Sequence, residues 1–238
     1  WMGTGFNVTW LSDPLDIIYF LNTIGKDLQE SWLQNRPVGN MGIMSIYDPH
    51  IIDFIHLKYD GLQQGVDRKF NFSVDIDQAF LEKRNEDGDI TLWDGSCISA
   101  RYLFHEIAYY TYLCGDPGII CLDKMNKTNT TAHSAPYKAT APCGEVWLAP
   151  WETCQFSSLN LVQYIDENGN IDYDQLQESI YSVVRFLDDC LEYSLHRYSD
   201  AFTAHMTGFK RKIGVGVCWF GDMLIKMWIP YWSQESIQ

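Results

Sequence analysis

Positive charge is scarce in this 238-residue sequence, which has 17 lysines and arginines against 31 aspartates and glutamates and a formal net charge of −14. Binding to nucleic acid or to anionic lipid needs a basic face, so we expect neither nucleic acid nor a membrane among the partners. No apolar run approaches the roughly 20 residues that cross a bilayer. No basic segment leads into an apolar one at the start, so we expect no signal peptide. These absences predict a cytoplasmic location.

Dense cysteine pairing, internal repeats and low-complexity segments are missing as well. The seven cysteines are an odd number, scattered between positions 97 and 218, which is unlike the pattern of small disulfide-stabilised domains. We therefore expect reduced thiols. The composition is 46% hydrophobic and 20% charged. Such a chain is globular and long enough for one large domain or two small ones.

Short apolar segments alternate with longer segments of helical periodicity, which predicts an α/β fold with parallel strands. Asp48 and Asp77 are suited to cap the helices that follow them, and the turn at Gly115 ends another. The predicted strands are 5–10, 41–46, 69–76, 119–122, 157–164 and 213–217. The predicted helices are 15–33 with an interruption near Gly25, 49–58, 77–83, 98–113, 172–193 and 220–227. The segment 123–142 is predicted to be a long loop.

Three short motifs hint at chemistry but are better explained as structure. His105-Glu106 lacks the second histidine that a zinc-binding helix requires. Gly214 and Gly216 lack the third glycine and the acidic residue of a dinucleotide site, so we expect them to allow close backbone packing on a strand. The residues from Asp166 to Asp172 do not match a calcium loop and predict a solvated turn. We predict no metal site.

A fourth motif, Cys143-Gly144-Glu145, is better suited to catalysis than these three. A cysteine beside a glycine can sit at the tip of a tight loop, and a glutamate two residues later can point the same way if the loop is extended. A thiol and a carboxylate that converge on one small substrate could transfer a hydrogen atom and remove a proton. The alternative is that Cys143 is a small packing residue, as most free cysteines are.

Two neighbouring segments, Thr140–Glu145 (TAPCGE) and Trp151–Leu161 (WETCQFSSLNL), resemble the finger-loop region of ribonucleotide reductases. The variant closest to them is the adenosylcobalamin-dependent class. Gly3-Thr4-Gly5-Phe6 resembles the glycine turn near the start of the family's barrel, and Arg36–Ile43 resembles its Arg-Arg-Gly-Ala-Asn-Met-Gly segment. Further similar segments follow in the family's order: 48–55, 71–74, 115–119, 171–174, 185–189 and 211–217.

The resemblance implies a ten-stranded α/β barrel made of two five-stranded halves, of which residues 1–238 would form a part, with the finger loop at about 140–147. It implies that Cys143 carries a thiyl radical that abstracts the 3′ hydrogen of a ribonucleotide, and that Glu145 is the general base. Cys154 resembles one of two cysteines that reduce the product. Gly3 and Gly5 would line the substrate, and the loop around Arg36 would face the base.

The implied cofactor is adenosylcobalamin, and the implied partners are a ribonucleoside di- or triphosphate, a nucleotide effector and a thioredoxin-like reductant. The sequence departs from the family at Ala141, the substrate-contact position at which the family has asparagine. We expect the partner cysteine, the second half-barrel and its phosphate loop to lie in a second polypeptide or a missing segment. The chain alone should then be inactive. The alternative is a non-catalytic relative that serves as an interaction or regulatory module.

Overall fold

The computed structural model describes residues 3–31, 38–66 and 70–237. The chain divides into two compact units, Trp1–Pro150 and Trp151–Gln238. Within the described residues, no helix has the length and apolar character needed to span a membrane.

The first unit alternates strands and helices. Its strands are β1 (Thr4–Asn7), β2 (Asn40–Ser45), β3 (Phe70–Asp75), β4 (Asp89–Thr91), β5 (Cys97–Ser99), β6 (Gly118–Ile120), β7 (Ala139–Thr140) and β8 (Trp147–Leu148). Its helices are α1 (Pro14–Glu30), α2 (Ile51–Gln63), α3 (Gln78–Asn85), α4 (Ala100–Cys114) and α5 (Leu122–Lys127). The α/β fold class predicted from the sequence is therefore correct.

Four strands form a parallel sheet in the order β1-β2-β3-β6. Each strand is added beside the one before it, so the sheet grows in one direction, as in a barrel wall and unlike a doubly wound sheet. The two short pairs β4–β5 and β7–β8 are antiparallel hairpins. All strands of the main sheet end at one edge, where loops can bring functional side chains together.

The core of the first unit lies between the sheet and its helices. Apolar residues of β2 and β3 meet apolar faces of α2 and α4. The rings of Phe54 and Phe72 pack edge to face, with their centres 5.4 Å apart. Local signals fix the helix ends. The Asp77 side chain accepts a hydrogen bond from Phe80 N at the start of α3, and Gly115 ends α4 with a φ of 85°, a conformation that suits glycine.

The second unit contains a parallel pair of strands and three α-helices. The elements are β9 (Gln155–Asn160), α6 (Tyr173–Leu195), α7 (Ala201–Lys210), β10 (Ile213–Cys218) and α8 (Phe220–Lys226). The two strands pair from Gln155–Ile213 to Asn160–Cys218. Leu187 and Leu191 of the long helix α6 are buried, which agrees with its predicted amphipathic pattern.

Several predicted boundaries were wrong. Helix α1 is continuous, because Gly25 lies in the helix and faces Val38 at ordinary contact distance. Helix α2 begins at Ile51 rather than at 49, since Asp48 Oδ1 accepts a hydrogen bond from His50 N before the helix starts. The predicted loop 123–142 contains most of α5 and all of β7. Helix α7 and the hairpin β4–β5 were not predicted from the sequence.

Candidate functional site

The Cys143 motif forms the tip of the β7–β8 hairpin. Thr140 pairs with Trp147 at the last rung of the ladder, and Ala141 N then donates to Val146 O at 3.1 Å. The next hydrogen bond, from Gly144 N to Ala141 O at 2.9 Å, closes a tight turn. Gly144 has a φ of +76°, which explains why a glycine follows the cysteine.

Cys143 and Glu145 approach each other at this tip. Both residues are exposed, and Glu145 Oε2 accepts a hydrogen bond from Cys143 N at 3.0 Å. The carboxylate is therefore folded back toward the cysteine rather than extended into solvent. A thiol and a carboxylate on one turn can act on neighbouring atoms of a small substrate. Their catalytic roles remain predictions.

Gly3 and Gly5 lie directly beneath the hairpin. A Cβ atom on Gly5 would lie 1.9 Å from Thr140 O, and one on Gly3 would lie 2.5 Å from Pro142 Cγ. Since real Cβ atoms do not approach other atoms this closely, only glycine fits at either position without displacing the hairpin. The structure thus gives both glycines a packing role against the loop. Whether they also line a substrate remains a prediction.

Two asparagine side chains bind the hairpin backbone. Asn7 Nδ2, at the end of β1, donates to Lys138 O at 2.8 Å, just before β7 begins. Asn71 Nδ2, on β3, donates to Pro142 O at 2.6 Å, immediately before the cysteine. Neither asparagine was among the site residues predicted from the sequence. Asn71 could have been noticed because it lies near the start of a predicted strand, in a segment that resembles the family.

Ala141 is half-buried and uses only its backbone in the turn. Its methyl group can neither donate nor accept a hydrogen bond, so this side chain cannot make the polar substrate contact that the resemblance predicts for an asparagine here. Arg36 lies outside the described residues, as does Pro37 of the same segment. The prediction that this loop faces the base of a nucleotide is therefore unchanged.

Cys154 lies in the second unit, immediately before β9. It is partly exposed, and its Sγ would lie 3.6 Å from a Cβ atom placed on Gly214 of β10. The glycine therefore leaves room for the sulfur at the start of the strand pair. Gly216 is similarly close to Ser158, which agrees with the packing role predicted for the two glycines of β10.

A buried ionic cluster precedes Cys154 by two residues. Glu152 Oε2 lies 3.1 Å from Lys210 Nζ, and Glu152 Oε1 lies 2.9 Å from Lys212 Nζ. The Glu152 side chain is 0% exposed and that of Lys210 is 2% exposed. Thr153 Oγ1 continues the polar network, at 2.8 Å from Thr207 Oγ1. Buried charges require such partners, so this cluster fixes the segment that carries the cysteine.

Asp75 stands at the edge of the main sheet where the strands end. Burial is the largest cause that raises the pKa of its carboxyl group to about 6, and the carboxylates of Asp123 and Asp77 add to the effect. A hydrogen bond from Leu122 N at 2.9 Å acts in the opposite direction. Burial and the hydrogen bond to Asp77 likewise raise the pKa of Tyr47. A further negative charge at this edge of the sheet is therefore unfavourable.

The remaining motifs have structural partners. Glu106 contacts His56 at 2.9 Å and His105 at 3.8 Å, which links α2 to α4. The Asp166 carboxylate accepts hydrogen bonds from the backbone N–H groups of Asn168 and Asn170 and closes a turn. Across residues 3–31, 38–66 and 70–237, no group of three or more histidine, cysteine, aspartate or glutamate side chains is arranged to hold a metal ion.

Comparison with protein families gives a match to the model described as "Ribonucleotide reductase, barrel domain" over residues 16–238. The match therefore includes the hairpin, the ionic cluster and the strand pair of the second unit. It covers most of the chain, which is enough to establish the family.

Individual relatives agree with the family match. The chain is 35% identical over 209 residues to the vitamin B12-dependent ribonucleoside-diphosphate reductase of Thermoplasma acidophilum, a match that covers 85% of this chain and 27% of the relative. It is 33% identical over 204 residues to the enzyme of the same name from Mycobacterium tuberculosis (strain CDC 1551 / Oshkosh), with 83% and 29% covered. It is 30% identical over 243 residues to the ribonucleoside-diphosphate reductase subunit alpha of Chlamydia muridarum, with 96% and 22% covered. The chain thus spans less than a third of each of these relatives.

Proposed function

Because this chain belongs to the ribonucleotide reductase barrel-domain family, we propose that it is one part of a catalytic barrel that reduces ribonucleoside diphosphates or triphosphates. The observation that carries this proposal is the β7–β8 hairpin, which presents Cys143 and Glu145 together at its tip. In this proposal residues 1–238 contribute part of a ten-stranded barrel, and residues 140–147 are its finger loop. A second polypeptide or another segment supplies the remaining strands.

The proposed chemistry assigns one role to each side chain. A thiyl radical at Cys143 takes the hydrogen atom from C3′ and becomes a thiol, while Glu145 accepts the proton of the 3′-OH group. The 2′-OH group leaves as water. Cys154 and a second cysteine supply two electrons and two protons and become a disulfide. Glu145 returns its proton to the 3′ oxygen, and the Cys143 thiol returns its hydrogen atom to C3′, which regenerates the thiyl radical. A thioredoxin-like protein then reduces the disulfide.

Adenosylcobalamin fits the hairpin in one respect, because the Cys143 thiol that it would activate is exposed. When bound, this cofactor supplies radical chemistry. The side-chain amides of Asn7 and Asn71 already donate hydrogen bonds to the backbone of the hairpin. We therefore assign cofactor binding to neither residue. Nucleotide effectors also belong to the proposal, by analogy with the family.

The experiment is a chimera in which this chain replaces the matching segment of the Thermoplasma acidophilum reductase. With adenosylcobalamin and a dithiol, the chimera should form deoxyribonucleotide, the Cys143→Ser variant should form none, and the isolated chain should form none. Turnover by the isolated chain would show that the missing parts are not required. A folded chimera that binds nucleotide but gives no product would contradict the assigned activity.

A non-catalytic interaction or regulatory module is the second candidate, and Ala141 is the observation that favours it. The Ala141→Asn variant of the chimera separates the two functions. An enzyme adapted to alanine turns over without the substitution. A degenerate module gains activity only when the amide is restored, or remains inactive while still binding nucleotide.

A further inference from the structure

One peptide group in the hairpin is bound at both ends. The carbonyl oxygen of Pro142 accepts a hydrogen bond from Asn71 Nδ2 at 2.6 Å, and the N–H group of Cys143 in the same peptide donates to Glu145 Oε2 at 3.0 Å. Because a peptide group is planar, fixing its oxygen and its nitrogen fixes its orientation. That orientation fixes the position of the Cys143 Cα atom, which carries the thiol side chain.

The residue that fixes the carbonyl stands on rigid support. Strand β3 pairs with β2 on one side and with β6 on the other, and the neighbours of Asn71, Phe70 and Phe72, are each 1% exposed. The side chain of Asn71 itself lies on the exposed side of the strand. An exposed amide on a buried central strand can hold a loop in place without belonging to the core.

The two hydrogen bonds also reinforce each other. A peptide whose carbonyl accepts a hydrogen bond becomes more polarised, and its N–H group becomes a stronger donor. The contact made by Asn71 therefore strengthens the bond between Cys143 N and Glu145. Through one peptide, a side chain on β3 acts on both groups to which the proposed function assigns chemistry.

We propose that Asn71 is a positioning residue that orients Cys143 and Glu145 through the Pro142–Cys143 peptide. The catalytic consequence of this inference rests on the proposed function. The hydrogen-bond geometry itself can be tested without measuring turnover. Asn7 provides the matched control, because its amide binds the same hairpin at Lys138 O, at the base rather than at the tip.

The first test uses the full chain and the NMR signal of the Cys143 amide. In the unmodified chain this signal should shift as Glu145 is titrated, and Glu145→Gln should remove the shift. Asn71→Ala and Asn71→Asp, which lack the amide donor, should reduce the shift by at least half. Asn7→Ala should leave it unchanged. Unchanged amide signals of β2 and β6 show that the sheet is intact. The same shift in Asn71→Ala and the unmodified chain would overturn the inference.

The second test places the same variants in the chimera. Asn71→Ala should lower kcat about ten- to hundredfold with little change in KM, since misplacement of reacting groups by about 1 Å costs up to a hundredfold in rate. Asn7→Ala should lower kcat by less than threefold. An active chimera that Asn71→Ala does not slow would refute the positioning role alone. A folded, nucleotide-binding chimera without activity would instead refute the proposed function.

Discussion

Replacing Glu152 with glutamine should strongly destabilise the second unit. The carboxylate is the shared partner of Lys210 and Lys212, and the side chain of Lys210 is almost completely buried. Glutamine has nearly the same size but no charge, so it removes the ionic contact that Glu152 makes with the buried Lys210 ammonium group. Loss of one partner from a buried ion pair costs about 3–5 kcal/mol, which is the expected change in the free energy of unfolding.

The two lysines differ in exposure, so variants of each should differ in how much they destabilise the second unit. The Lys212 side chain is 18% exposed, so in Lys212→Met the Glu152–Lys210 pair survives and the cost should stay below about 2 kcal/mol. The Glu152→Met/Lys210→Met double variant removes both deeply buried charges. It should be less destabilised than Glu152→Gln, because apolar replacement of a whole buried pair is often tolerated.

Hydrogen exchange measures the two units separately in the intact chain. In Glu152→Gln, amides of β9 and β10 should exchange about 140- to 3,700-fold faster, which corresponds to about 3–5 kcal/mol at about 1.4 kcal/mol for each factor of ten. Amides of β2 and β3 in the first unit serve as the reference and should not change. A less than fivefold increase in β9 and β10, or an equal increase in both units, would refute this account of the cluster.

Three further predictions concern the first unit and the surface. Gly5→Ala should destabilise the first unit by about 1–3 kcal/mol, because its Cβ atom would lie 1.9 Å from Thr140 O. Gly39→Ala, whose Cβ atom has its nearest neighbour at 3.5 Å, should cost less than half as much by hydrogen exchange, and equal costs would contradict the clash. The pKa of Asp75, raised from 3.8 to about 6, means that the folded first unit holds a proton that the unfolded chain loses. The stability of the folded unit should therefore fall by about 2 kcal/mol as pH rises from about 4 to 6. Asp75→Asn should abolish this fall, and the same pH profile in the variant and in the unmodified chain would refute the account. The chain should self-associate or bind a hydrophobic dye, since Ile225, Trp228 and Trp232 are 74%, 93% and 91% exposed within one short segment and exposed apolar surface favours association. A dye-free monomer in sedimentation at high concentration would refute this expectation.

Local signals made much of the fold predictable. Asp77 caps α3 as expected, and Gly115 ends α4 in the left-handed conformation that glycine adopts easily. Strand β3 alternates buried phenylalanines, which is a direct consequence of the two-residue period of a strand. Each of these features is set by residues close together in the sequence, so a sequence pattern is sufficient to reveal it.

Helix α7 shows why weaker local patterns were missed. Asp200 caps it by accepting a hydrogen bond from Thr203 N, and that spacing was visible in the sequence. The helix nevertheless contains two threonines and Gly208, which have low helix propensity. Packing with α6 compensates for that weak propensity. A Cβ atom placed on Gly208 would lie 3.5 Å from Leu195 Cδ2 of α6, so the glycine allows the two helices to approach closely. Tertiary contact, rather than the local sequence, decides the structure there.

The site itself depends on contacts between distant residues. Asn71 and Pro142 are 71 positions apart, and Glu152 and Lys210 are 58 positions apart. Neither contact follows from composition, periodicity or spacing. A charged residue such as Glu152 is expected at the surface, so its complete burial could be learned only from the structure. The sequence pattern pointed to Cys143 and Glu145, whereas the groups that contact their turn became visible only in three dimensions.

The support around the hairpin also bears on the choice between an enzyme and a degenerate module. A module that no longer uses the tip would still need Gly3 and Gly5 to pack the first strand against the loop, but it would gain nothing from an amide directed at the peptide before Cys143. Ala141 removes one polar side chain from the tip, but the turn still holds its shape through the backbone of Ala141 and through Asn71. The loss therefore concerns a contact outside the turn, and the geometry of thiol and carboxylate does not depend on it. This distinction is why we place the enzyme first and the non-catalytic module second.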